Sequence, residues 1–185
     1  MPDTKDQFET VIRQCREVFE KKLQDYGASW RIMRPESITD QLLIKAKRIR
    51  NLEIKKESKI KEGKLTEFTG LVNYGIIGLI QLTLGFSDQP DLTSPKAVEL
   101  YDRFMADTKV LMYAKNHDYD EAWRLMRVSS YTDLILTKLN RIKEMEDNDG
   151  KVAVSEGIDA NYQDIINYAL FGLIKLKFEE QHEYK

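Results

Sequence analysis

The segment Asp118-Tyr119-Asp120-Glu121-Ala122-Trp123-Arg124-Leu125-Met126-Arg127 decides the fold, because it occurs twice. The earlier copy is Asp25-Tyr26-Gly27-Ala28-Ser29-Trp30-Arg31-Ile32-Met33-Arg34, and both tryptophans of the protein sit in the two copies. Each copy is followed by Ser-x-Thr-Asp, at Ser37 to Asp40 and at Ser130 to Asp133. Each then leads to a Lys and an Arg three residues apart, Lys45/Arg48 and Lys138/Arg141. The match extends outward. Upstream, Tyr101 stands where Phe8 stands, Phe104 where Val11 stands and Leu111 where Val18 stands. Downstream, after a one-residue slip, Asn167-Tyr168 repeats Asn73-Tyr74, and Gly172-Leu173-Ile174 repeats Gly78-Leu79-Ile80.

A period of about ninety residues is too long for a solenoid, so the chain reads as a duplicated unit. Each unit reads as three helices. In the first helix Phe8, Val11, Ile12, Cys15, Val18 and Phe19 recur at helical spacing, which makes one apolar stripe. Thr4-x-x-Gln7 has the form of a capping box. Cys15 lies on the stripe and reads as a small buried hydrophobe. It is the one cysteine, so no internal disulfide can form. Ser37-x-x-Asp40 and Ser130-x-x-Asp133 predict capped starts for the second helices. Ile38, Leu42, Ala46 and Ile49 make the core stripe of the first of these. The charged run from Glu53 to Lys64 reads as a fraying helix end and a loop.

The third helix is expected over Thr66 to Leu84 and is apolar on most sides, the mark of a central buried helix. Gly70, Gly75 and Gly78 lie within it and lower its helix propensity by roughly 1 kcal/mol each, which implies that another backbone comes close. Gly85 suits its C-cap. Ser94-Pro95 reads as N-cap and first helical residue of the second unit, and Asp159 as the N-cap of that unit's third helix. The fold expected is all-α: a tandem duplication of a three-helix unit, residues 1–92 and 93–185, packed as one pseudo-two-fold helical bundle. The two apolar third helices bury each other in this arrangement.

The chain is 42% hydrophobic and 32% charged, with a formal net charge of −2. Bulk nucleic-acid binding through phosphates usually needs a basic protein and is not expected. The polar Met1-Pro2-Asp3-Thr4 start is no signal peptide. The apolar run from Leu71 to Leu84 falls short of the roughly 20 residues that cross a bilayer. A cytoplasmic protein without membrane contact is expected, and a homo-oligomer is left open.

Chemistry could sit on two groups of residues. Arg31, Arg34, Lys45 and Arg48 recur as Arg124, Arg127, Lys138 and Arg141. Guanidinium forks suit phosphate oxygens, and Tyr26, Trp30, Tyr119 and Trp123 offer rings for a base. The structural alternative is snorkelling basic stems around core tryptophans. The second group is acidic. Asp164 lies on the most apolar helix of its unit, where an unpaired charge is very costly, so it needs an Arg, a Lys or a metal. The first unit has Gly70 at that position and Glu67 where Asn161 stands. Asp164, Glu144 and Glu67 are the candidate ligands of a Mg²⁺ ion, which wants one or two carboxylates and waters. Asp147, Asp159, Glu53 and Glu57 are further carboxylates that could approach. The cations are expected to line a cleft between the facing copies, with Asp164 near its floor. His117-Asp118 is similar to a ligand pair of metal-dependent HD phosphohydrolases, but the only other histidine is His182. No phosphate-binding Gly loop, zinc spacing or nucleophile elbow is present.

Taken together, Tyr26, Trp30, Arg34, Ser37, Asp40, Lys45, Arg48, Asn73 and Tyr74, with their second-unit counterparts, resemble the nucleotide modification associated domain family of the first type, in its two-copy form. The helix order is also similar to the all-α nucleoside triphosphate pyrophosphatases. Those enzymes hold Mg²⁺ with Glu-x-x-Glu on one helix and Glu-x-x-Asp on the next. Here the second helix carries Lys and Arg instead, and the later pair is split between Glu67/Gly70 and Asn161/Asp164. The resemblance implies a small-molecule nucleotide partner. It leaves two functions open: a Mg-dependent nucleotide pyrophosphohydrolase or modification-associated enzyme, and a non-catalytic nucleotide-binding or protein-interaction module.

Overall fold

The computed structural model describes residues 2–55 and 61–180. Six α-helices run in order: α1 (Thr4–Tyr26), α2 (Pro35–Lys55), α3 (Lys61–Leu84), α4 (Ser94–Tyr119), α5 (Val128–Asp147) and α6 (Ile158–Ile174). A short 3-10 turn precedes α2 (Ser29–Ile32) and another precedes α5 (Ala122–Leu125). A π-helical turn, Lys175–Glu179, follows α6. Among the described residues there is no strand. The fold is all-α, and it duplicates one helical unit.

Several helix starts differ from those the capping motifs suggest. Asp3, not Thr4, caps α1: it is extended and its carboxylate accepts the Asp6 N–H at 2.8 Å. Helix α2 begins at Pro35, two residues before Ser37, because proline suits a first turn whose N–H has no partner. Helix α5 begins at Val128, behind Arg127. Ser37 and Ser130 therefore lie inside the first turns, with Asp40 and Asp133 one turn further on, and none of them is an N-cap. Thr93 caps α4, with Pro95 in the first turn. Gly157, not Asp159, occupies the N-cap of α6. Asp159 sits in that first turn, where a carboxylate complements the partial positive charge of the helix end. Helix α3 starts at Lys61, ahead of Thr66, and ends where Gly85 turns to φ +72°. Glu57 lies outside the described residues.

The two units face each other as an internal dimer, and reciprocal contacts mark the pseudo-two-fold axis. Across α1 and α4, Arg16 binds Asp102 at 2.7 Å, and the equivalent Lys109 binds Glu9 at 2.7 Å. Across α2 and α5, Thr39 Oγ1 donates to Glu146, and the equivalent Thr132 Oγ1 donates to Glu53, both at 2.6 Å. At the centre α3 packs on α6. A Cβ on Gly78 would stand 2.9 Å from the Tyr162 ring, and one on the equivalent Gly172 would stand 2.9 Å from the Phe68 ring. Glycine lets the helices close, but what fills the space is an aromatic or aliphatic side chain and not a second backbone. At Gly75 that side chain is Ile166, 2.5 Å from a Cβ position. Burial of Phe68, Leu71, Ile76, Ile80, Ile165, Ile166 and Leu170 puts the core of the molecule on this helix pair.

Burial also explains two polar features of the units without chemistry. Cys15 is fully buried and its thiol is pushed up to about 12 by burial, which makes it an inert core residue. Glu53 and Glu146 are partly withdrawn from water at the α2–α5 contact, and that burial raises both carboxyls despite the threonine hydrogen bonds.

Candidate functional site

The twin tryptophan segments fold as the two 3-10 turns, and a side chain from α3 fastens the first and one from the π-helical turn after α6 fastens the second. Gln81 Nε2 donates to the carbonyls of Trp30, Arg31 and Met33 at 3.2, 3.0 and 2.6 Å. In the second unit the equivalent Lys175 Nζ donates to the carbonyls of Arg124 and Met126 at 2.8 and 2.5 Å. Gln81 is a polar residue within the apolar run of α3, and its side chain satisfies backbone acceptors in a buried turn.

This arrangement also fixes Arg31 and Arg124. Arg31 is buried; it donates to Gln81, to the Gly85 carbonyl at 2.6 Å, and through Nε to Asp91 at 2.8 Å. It therefore ties the linker between the units to the end of α3. Arg124 bonds Glu121, Glu179, Thr4 and Gln7 at 2.7 to 2.9 Å. Both guanidinium groups are engaged in holding the protein together. Arg34 and Arg127 are exposed at the helix starts. The structure does not gather the four arginines of the twin segments into one cleft between the copies.

The candidate aromatic residues line clefts inside the units instead, one in each, at equivalent places. In each, the wall is formed by the end of the first helix, the 3-10 turn and the third helix. The first-unit cleft, about 300 Å³, is lined by Phe19, Lys22, Tyr26, Trp30, Asn73 and Tyr74 among others. The second-unit cleft, about 520 Å³, is lined at the matching positions by Met112, Lys115, Tyr119, Trp123, Asn167 and Tyr168. Of the four candidate base-contacting rings, Tyr26 and Tyr119 are 57% and 71% exposed, while Trp30 and Trp123 are buried. Trp123 is stacked on Phe171, with ring centroids 4.6 Å apart, and Arg124 lies over its ring at 4.3 Å. The tyrosines, not the tryptophan faces, are open to a ligand.

The acidic residues divide the two clefts. In the second unit, Asp164 is 6% exposed and each of its oxygens meets a lysine: Lys115 at 2.7 Å and Lys138 at 2.8 Å. Burial disfavours the Lys115 charge, but its hydrogen bond to Asp164 and the attraction between them prevail and hold its pKa above the ordinary lysine value. Burial, then the Asp164 charge, raises the Tyr168 phenol. Lys115 is a site residue that pattern reading misses, because it sits on the solvent side of α4; its one signal is the equivalence with Lys22. In the first unit the carboxylate has moved by one turn. Glu67 pairs with Arg48 at 2.8 Å and Lys45 at 3.8 Å. The Lys45 stem lies across Gly70, 2.9 Å from a Cβ position, and its ammonium is 5.3 Å from the Tyr74 ring centre. So Lys45 fills the space that Asp164 occupies in the other unit.

A second hollow of about 620 Å³ adjoins the second-unit cleft and shares Lys138 and Glu156 with it. Arg141 and Glu144 line it. Lys138 and Arg141 are thus brought to one region, while Arg48 and Lys45 serve the other unit. The three candidate metal ligands are not brought together. Both oxygens of Asp164 are engaged by lysines, Glu67 is engaged in the first unit, and Glu144 faces the adjoining hollow. Among the described residues, no group of three or more His, Cys, Asp or Glu side chains is placed to hold a metal. These donors do not fit a protein-held Mg²⁺.

The second-unit cleft has one more property. Asn167 is 5% exposed, yet among the described residues neither its amide nitrogen nor its oxygen has a partner, and the indole nitrogen of Trp123 is likewise buried and unpartnered. Buried polar groups are normally satisfied, and each one left unmade costs about 1–3 kcal/mol. The equivalent Asn73 is satisfied on both sides: it donates to the Cys15 carbonyl at 3.0 Å and accepts from the Tyr101 hydroxyl at 2.7 Å.

No curated protein and no solved structure matches this chain. A family model, nucleotide modification associated domain 1, matches it twice, over residues 22–82 and 115–176. Each matched segment contains one 3-10 turn and the second and third helices of a unit, and so most of one cleft wall. The chain is therefore a two-copy member of the nucleotide modification associated domain 1 family.

Proposed function

We propose that the second-unit cleft binds a small nucleotide. The observation that carries this reading is the coincidence, in one cleft, of unpartnered buried hydrogen-bonding groups with a lysine pair, the open Tyr119 ring and the half-buried Tyr168 ring. Ligand sites are concavities of roughly 300–1,000 Å³ with a few convergent polar groups on apolar walls. Lys115 and Lys138 converge on Asp164 in the cleft, which Glu156 also lines, and Arg141 stands in the adjoining hollow. These cations supply phosphate contacts, while Tyr119 and Tyr168 supply ring faces for a base. Lys115 is half exposed, so it can turn from Asp164 toward a phosphate without leaving a fully buried charge alone. The family description, which names nucleotide modification, supports the same class of ligand.

We read a binding module in preference to a hydrolase. The one buried carboxylate of the cleft is held by two ammonium groups and is poorly placed as a base or as a metal ligand. The test is a thermal-shift and calorimetric screen of nucleoside mono-, di- and triphosphates, with and without Mg²⁺, with product analysis of every mixture. Saturable binding of at least one nucleotide is expected, weakened about tenfold or more by Lys138→Ala, the usual scale for a charged hydrogen bond. No response to any nucleotide defeats the proposal. Release of pyrophosphate or phosphate moves the protein to the enzyme class.

A further inference from the structure

Duplication gives this chain two equivalent clefts, but the structure assigns a ligand to only one of them, with the Asn167 amide reading the edge of a planar ring. This rests on the nucleotide reading above and deepens it. The two units differ at the polar floor of the cleft. In the first unit the protein itself supplies the ligand's bonds: the Tyr101 hydroxyl and the Cys15 carbonyl occupy Asn73, and the Lys45 stem occupies the space beside Gly70. In the second unit the residue equivalent to Tyr101 is Phe8, which is fully buried and has no hydroxyl to give. Phe8 packs on Trp123 and Phe171, with ring centroids 5.7 and 5.8 Å away, and both of those residues line the same cleft as Asn167. Without that phenolic oxygen the Asn167 acceptor has no donor among the described residues, and its amide nitrogen is without a partner as well, so an amide donor and acceptor lie side by side, buried in the lining of a hollow.

An amide of this kind matches a partner that presents an acceptor and a donor next to each other in one plane. Nucleobase edges have that pattern; a phosphate, which only accepts, does not. The ligand class is therefore a nucleobase-bearing molecule, with the base inward on Asn167 and the phosphate outward at Lys115 and Lys138. One molecule binds per chain.

The full-length protein is titrated by calorimetry with the four common nucleoside 5′-monophosphates and with ribose 5-phosphate. The expected result is one equivalent of the preferred nucleotide per chain and binding of ribose 5-phosphate at least about tenfold weaker. Phe8→Tyr restores the missing hydroxyl; it is expected to weaken nucleotide binding at least about tenfold and to raise Tm in the absence of ligand. Should Phe8→Tyr fail to fold, Asn167→Leu, matched in size, is expected to abolish the preference for nucleotide over ribose 5-phosphate. Two equivalents per chain, or nucleotide and ribose 5-phosphate binding alike, overturns this inference and leaves the nucleotide reading standing. No binding by the wild-type protein overturns both.

Discussion

Tyr101→Phe removes a single oxygen from the core, and the structure sets its cost. Tyr101 is fully buried, and its hydroxyl donates to Asn73 Oδ1 at 2.7 Å. The other side of Asn73 is already tied to the Cys15 carbonyl at 3.0 Å, so the amide cannot turn to find a new donor without breaking that bond. The variant leaves one buried acceptor unmade, at about 1–3 kcal/mol. For a chain of this length that corresponds to a fall in Tm of about 2–12 °C. Tyr113 is the control, because its hydroxyl is buried without a partner among the described residues; Tyr113→Phe should be neutral or slightly stabilising. Urea denaturation followed by far-UV circular dichroism, with both variants and the wild type in parallel, measures the difference. If Tyr101→Phe is no more destabilising than Tyr113→Phe, then Asn73 is not held as described, and the asserted difference between the two clefts loses its basis.

Three other outcomes follow from the same geometry. Burial raises the Glu53 and Glu146 carboxyls above 4.5, so their protonation contributes stability that is present below that pH and lost as pH climbs through the raised native values; a Glu53→Gln/Glu146→Gln variant, which keeps the acceptors of Thr132 and Thr39, should be more stable at pH 7 and show less of that loss in a pH series of denaturation curves. Gln81→Leu leaves the Met33 carbonyl without its side-chain donor and removes one of several partners from Arg31, while the Trp30 and Arg31 carbonyls keep backbone donors; it should cost about 1–3 kcal/mol by urea denaturation. Arg34→Ala and Arg127→Ala remove exposed guanidinium groups outside the second-unit cleft, so calorimetry should show nucleotide binding within about twofold of wild type, far below the loss expected of a charged contact.

The duplication was legible in the sequence because Trp, Tyr, Asn and Gly recur at matched offsets, and the apolar third helices announced their own pairing. The helix starts were not. Ser37 and Ser130 have the form of caps, but Pro35 and Val128 already lie in helical geometry, and a capping residue works only if the backbone before it is extended. The arginines were not legible either. A recurring basic residue can hold a buried turn as well as a ligand, and only coordinates show that Arg31 and Arg124 are enclosed by acceptors. Asp164 did declare its need for a cation, yet the second cation, Lys115, comes from α4, nearly fifty residues away. The decisive asymmetry, Phe8 against Tyr101, is visible in the aligned units but has no meaning until Asn73 and Asn167 are placed beside them.

The most direct measurement is the pair of side-chain amide resonances of Asn167 and Asn73, assigned by substitution and followed by ¹⁵N-edited NMR during titration with nucleoside 5′-monophosphates. The Asn167 resonances are predicted to shift saturably while those of Asn73, enclosed by Tyr101 and Cys15, stay in place. Equal shifts at both amides, or movement at neither while a nucleotide binds elsewhere, would contradict a single binding cleft in the second unit.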